Sequence, residues 1–151
     1  MKQKSLSVNT DIEKEARLMY RFAILTLGDQ EAACCLVAES CGAVCRRLKG
    51  RESGAELCRQ LLADIYRRCL GRKTAYQPRA VLAAFPSASP ESRELIFSLA
   101  QADLAVRAAL ALRFASGLSQ SQALRIMGRD QKEADQLLKQ GMARLVQAQA
   151  G

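Results

Sequence analysis

The sequence predicts an all-α protein built as two small helical units joined by a Pro-containing linker, and three observations carry that prediction. Ala, Leu, Arg and Gln dominate the 151-residue chain, and all four favour helix. β-branched and aromatic residues, which suit strands, are sparse, with aromatics at 5%. The prolines Pro78, Pro86 and Pro90 all fall between two stretches of helical periodicity. Units of about 60 residues bury a small fraction of their surface, so each is expected to draw stability from the other or from a partner.

The first unit spans residues 10–73. Thr10 and Glu13 form a T-x-x-E capping box, and Ile12, Ala16, Met19 and Ala23 follow at helical spacing, predicting a helix from Thr10 to Leu27 that stops at Gly28. Asp29 is the expected N-cap of a second helix reaching Leu48, with Ala33, Leu36, Val37, Cys41, Val44 and Leu48 as its apolar stripe. Ser53 and Glu56 make a second capping box for a third helix. Leu57, Leu61, Ile65 and Cys69 face inward along it, and Gly71 ends it.

Residues 74–90 form the linker, in which Val81 to Phe85 is a small apolar patch suited to docking. The second unit spans residues 91–148. Ser89 followed by Pro90 opens its first helix, because Pro suits the first helical position. The next helix runs from Asp103 to Ala115, with Leu104, Ala108, Ala111 and Leu112 apolar. Ser119 and Gln122 cap a short helix from Gln120 to Met127, Gly128 makes a tight turn, and Asp130 with Glu133 caps a last helix reaching about Gln147.

Charge narrows the partners. The chain carries a formal +8, which favours polyanions. Residues 1–45 carry a net −1, residues 46–73 a net +6 and residues 74–151 a net +3. An acidic-leaning start beside a basic block predicts two surfaces with different partners. No apolar run approaches the roughly 20 residues of a membrane span. Met1 to Asn9 is polar and lacks the apolar core of a secretion signal, so the expected location is cytoplasmic, without a membrane partner.

The chain has no His, no Gly-rich phosphate loop and no nucleophile motif, so neither enzymatic chemistry nor a cofactor is expected. Its six cysteines include no C-x-x-C pair, and no metal is expected. Cys34, Cys41 and Cys45 fall near one helix face, and two readings apply to them. They are thiolate ligands or redox sensors, or they are small hydrophobes in the core, and the second is favoured.

The informative unit is Leu112 to Leu145, a short helix, a turn with Gly and a longer second helix, which is the pattern of a helix-turn-helix. It resembles the fourth conserved region of the extracytoplasmic-function group of the sigma-70 family. Leu112, Arg113, Phe114, Gly117, Leu118, Ser119, Ile126, Gly128, Leu138, Arg144 and Leu145 carry the likeness, with Arg107 in the preceding helix. The first unit resembles that family's second region through Leu27, Gly28, Asp29, Ala33, Leu36, Val37, Glu39, Ser40 and Val44, then Leu62 and Ile65.

The resemblance implies a transcription initiation factor that binds core RNA polymerase and promoter DNA, with a regulatory anti-sigma protein as a further partner. It implies that Asp29, Glu31, Leu36, Val37 and Glu39 meet polymerase. It implies that Arg129, Lys132, Gln136, Lys139 and Gln140 contact DNA from the last helix and its turn. Arg67, Arg68, Arg72 and Lys73 would contact DNA from the third helix.

The chain departs from the family pattern at several such places. Cys34 and Cys35 replace an acidic pair, Leu61 a Trp, Arg68 an Asn and Gln122 a Glu. Glu133, Asp135 and Leu137 replace Thr, Lys and Arg, and carboxylates facing phosphates repel them. Two alternatives therefore stand beside initiation. One is a degenerate sigma-like interaction module, and the other a helix-turn-helix regulator that acts without polymerase.

Overall fold

In the computed structural model, described over residues 2–47, 53–114 and 120–128 and at positions 132, 133, 136, 139, 140 and 143, seven bounded helices and no strand occur among the described residues. They are α1 (Lys2–Leu27), α2 (Gln30–Arg47), α3 (Gly54–Leu70), α4 (Pro78–Ala84), α5 (Pro90–Leu99), α6 (Leu104–Phe114) and α7 (Gln120–Met127). The all-α expectation holds for these residues.

The second half of α1 is the centre of the molecule. Met19, Phe22, Ala23, Ile24 and Leu27 are fully buried, which takes in more than one stripe of the helix. The reason is that α2, α3, α4 and α6 all pack on α1. Thr26 is buried among them, and its hydroxyl donates to the Phe22 carbonyl at 2.8 Å, which satisfies it within its own helix. Helices α6 and α7 also pack on α3. A single buried cluster therefore runs from Met19 through Leu61, Leu62 and Ile65 to Leu112, Ile126 and Met127.

Local signals place most helix ends. Asp29 Oδ1 accepts from the Ala32 amide at 2.9 Å, the predicted cap of α2. Ser53 Oγ accepts from the Glu56 amide at 3.2 Å, and Ser89 Oγ from the Ser92 amide at 3.2 Å. Gly71 is the C-cap of α3, its amide donating to the Arg68 carbonyl at 3.2 Å and the next amide, of Arg72, to the Cys69 carbonyl at 3.1 Å. Glu56 does not reach back to Ser53, because Arg59 and Gln60 on its own helix take its carboxylate.

Four expectations change. Helix α1 begins at Lys2, two turns before the Thr10–Glu13 box, because residues 2–9 contain no Gly or Pro to stop a helix. Residues 74–90 contain a helix, α4, whose Val81 is fully buried and whose Leu82 and Ala84 lie against the core beside Phe85. Cys45 is exposed, as are Cys34 and Cys35, while Cys41 is half-buried and Cys69 buried. The α2 stripe narrows to Ala33, Leu36, Ser40 and Val44, with Val37 half-buried. Leu48, Ala115 and Ser119 lie outside the described residues.

Gly28 makes the tightest join. It has φ +68°, a left-handed conformation that Gly adopts without strain. Its carbonyl accepts from the Gln77 amide at 2.9 Å, and Thr74 Oγ1 donates to the Leu27 carbonyl at 2.7 Å. The stretch after α3 is thereby tied to the end of α1. Tyr76 lies directly against Gly28, and its ring meets Arg107 of α6, whose guanidinium carbon is 5.0 Å from the ring centre.

Candidate nucleic-acid interface

The basic end of α3 lies beside α2. Asp64 is the hub, with a side chain only 2% exposed. Its Oδ1 accepts from Arg67 Nη2 at 2.6 Å and from Arg47 Nη2 at 3.3 Å, and its Oδ2 accepts from Arg68 Nε at 2.7 Å. Arg67 and Arg68 stand three and four residues along the same helix, the spacing at which helical side chains meet. Burial pushes the Asp64 carboxyl up. The Arg68 hydrogen bond, the neighbouring Ser40 hydroxyl and the charges of Arg68 and Arg67 outweigh this and hold it below the ordinary range.

A second carboxylate closes the outside of the array. Glu39 of α2 accepts from Arg68 Nη1 and from Arg72 Nη2, each at 3.3 Å. Three of the expected DNA contacts, Arg67, Arg68 and Arg72, are thus paired with acids in this structure, whereas Lys73 and Arg46 are exposed. Glu39, expected on a separate acidic face, sits inside the basic one. Asp64, Arg47 and Ser40 join the array although none was an expected site residue. The D-x-x-R-R spacing of Asp64, Arg67 and Arg68 was a legible signal for part of the array.

The other residues expected to meet polymerase divide by exposure. Glu31 is exposed and Val37 half-buried. Asp29 spends a carboxylate oxygen on the α2 cap. Leu36 is 1% exposed and braces α2 from inside the core, so it offers no contact surface.

At the other end of the chain α6 and α7 pack together, and α7 has the predicted bounds of Gln120 and Met127. Ala123, Ile126 and Met127 are its buried face. Gly128 follows with φ +62°, a left-handed conformation that a residue without Cβ adopts free of strain. Beyond it, Lys132, Glu133, Gln136, Lys139, Gln140 and Ala143 are helical and exposed. Four of these, Lys132, Gln136, Lys139 and Gln140, are expected DNA contacts. Arg129, Asp130, Asp135, Leu137, Leu138, Arg144 and Leu145 lie outside the described residues.

Arg107, singled out through the resemblance, is 8% exposed and holds the structure together. Its Nε donates to the Thr26 carbonyl and its Nη1 to the Ala102 carbonyl, each at 2.7 Å. Burial pulls its pKa down, opposed by Tyr76 and Asp103. Burial likewise pushes the Tyr76 hydroxyl up.

Among the described residues no group of three or more His, Cys, Asp or Glu side chains is placed to hold a metal ion. No helix among them is long and apolar enough to cross a membrane. Compared with models of known protein families, with characterised proteins and with solved structures, the chain matches none.

Proposed function

We propose that this protein is a divergent sigma-like transcription initiation factor that binds core RNA polymerase and directs it to promoter DNA in the cytoplasm. Residues 10–73 would form its region-two-like part and residues 91–148 its region-four-like part, with residues 74–90 between them. The observation that carries this reading is the unit α7, Gly128 and the helical positions after it. A short helix packed on its neighbour is followed by a left-handed Gly turn and by helical residues whose cationic and amide side chains are exposed. In a helix-turn-helix, a first helix of this kind braces a second that enters the major groove, and these residues would take those two parts. Lys132 and Lys139 suit phosphates, and Gln136 and Gln140 suit phosphates or base edges. The ordered resemblance in both halves of the sequence supplies the polymerase part.

The test is copurification. Tagged protein expressed in its own cells should bring down core polymerase in amounts that survive moderate salt. Recovery no greater than with an unrelated protein of the same charge counts against the proposal.

A second reading, a degenerate sigma-like module that binds proteins without initiating, is favoured by one observation. Arg67, Arg68 and Arg72 are engaged by Asp64 and Glu39. Salt dependence of DNA affinity separates the two, since few phosphate contacts give a flat, weak dependence.

A further inference from the structure

The two carboxylates among the α2–α3 arginines differ in kind. Asp64 is buried and takes contacts of 2.6 and 2.7 Å from Arg67 and Arg68, the length of strong charge-assisted bonds. Glu39 is 47% exposed, and both its contacts are 3.3 Å, beyond the ordinary range for N–H···O bonds. Arg68 serves both acids with different atoms, giving Nε to Asp64 and Nη1 to Glu39. Its orientation is therefore set from inside by Asp64, while Glu39 is held only from outside. A cleft of about 180 Å³ opens on the Arg47 and Arg67 side of Asp64, lined by those two with Gln60, Ala63 and Asp64 and not by Glu39, Arg68 or Arg72.

We infer that Asp64 and Glu39 divide two roles, resting on the nucleic-acid reading above. Asp64 is a positioning residue that fixes Arg67 and Arg68 from inside. Glu39 is an internal competitor that occupies the seat of a backbone phosphate on Arg68 and Arg72. An arriving phosphate displaces Glu39 and leaves Asp64 in place. Glu39 thereby lowers the affinity of the free protein for any polyanion by a modest factor, and a duplex that brings backbone phosphates to this face displaces it. The exposed, long-range pairs of Glu39 are the kind that cost little to break, whereas the buried hub is not.

The experiment compares Glu39→Gln with Glu91→Gln, the same charge change at an exposed position of α5. Binding of wild type and both variants to a short mixed-sequence DNA duplex is measured by fluorescence anisotropy across a salt series. Glu39→Gln is expected to bind roughly three- to tenfold more tightly at low salt. Its log–log salt slope should steepen by about one phosphate contact. Glu91→Gln should shift affinity by less than half as much in logarithmic terms. Equal gains in both variants would reduce the effect to net charge and overturn the inference alone. Wild-type binding with no gain in Glu39→Gln would do the same. No binding by wild type or either variant at low salt would overturn the nucleic-acid reading, and this inference with it. As a check on the hub, Asp64→Asn should weaken binding rather than strengthen it, although it also removes a negative charge. A gain like that of Glu39→Gln would refute the positioning role.

Discussion

Substituting Gly28 by Ala tests how the chain is joined at the end of α1. Gly28 has φ +68°, a conformation that costs an L-residue about 1–2 kcal/mol. The added methyl also has no room, because it would lie 2.6 Å from Tyr76 Cγ and 2.7 Å from Tyr76 Cα. The second of these is backbone, so a rotamer change alone cannot relieve it. Tyr76 must move, which strains the Gln77 amide bond to the Gly28 carbonyl and lifts the ring off Arg107. Those losses add about 1 kcal/mol for the hydrogen bond and about 0.5–2 kcal/mol for the cation–π contact. The expected destabilisation is about 3–5 kcal/mol, a fall in Tm of roughly 10 °C for a chain of this size. Two other glycines supply the comparison. Gly128 has φ +62° but open space around the missing Cβ, so Gly128→Ala should cost only about 1–2 kcal/mol. Gly42 lies within α2 with nothing nearby, so Gly42→Ala should stabilise by about 0.8–1 kcal/mol. Urea denaturation of the three variants at one pH measures all of them. A Gly28→Ala cost no larger than that of Gly128→Ala would refute the close packing of Tyr76 on Gly28.

Three further predictions follow from the buried polar groups and thiols. Arg107→Ala should destabilise by about 3 kcal/mol through lost bonds to the Thr26 and Ala102 carbonyls, and Arg107→Lys should rescue little because an ammonium cannot reproduce the planar fork; equal stability of the Lys variant and wild type in urea would contradict this. Asp64→Asn should cost about 1–2 kcal/mol at neutral pH. Because the folded carboxyl titrates below its ordinary range, that contribution is present above the unfolded pKa and is lost as pH falls through the folded one. The gap between wild type and variant should therefore be constant near pH 7 and shrink below about pH 4, and a gap that widens on acidification would have the wrong sign. In the native protein a thiol-specific reagent read by mass spectrometry should label Cys34, Cys35 and Cys45 first. Cys58, half-buried and pushed up to about 12 by burial and then by Glu15 beside it, should react more slowly, and Cys69, buried and also pushed up to about 12 by burial, should react only on unfolding.

The parts of the fold legible in the sequence were those written in local signals. Asp29, Ser53 and Ser89 cap helices where a short polar side chain precedes an apolar-periodic stretch, and Gly28, Gly71 and Gly128 sit at helix ends. A cap pattern is not by itself a boundary. Thr10 and Glu13 have the right spacing yet lie inside α1, because nothing upstream breaks the helix. Helix α4 has no legible signal in the sequence, because seven residues are too short to show a period and its Pro78 start resembles a linker. The candidate site was legible in content but not in pairing. The basic excess of residues 46–73 is plain, and the i, i+3 and i, i+4 pairs of Asp64 could be read from spacing. That Glu39 meets Arg68 and Arg72 depends on how α2 lies on α3, a tertiary fact with no local signature.

Run-off transcription tests the central claim most directly. Core polymerase, free of other initiation factors, is mixed with this protein and fragments of its own genome, and transcript ends are mapped. The sigma-like reading predicts transcripts with discrete starts that depend on the protein and weaken when Lys132, Gln136 and Lys139 are replaced together by Ala. Firm association with polymerase but no protein-dependent start on any fragment would contradict it.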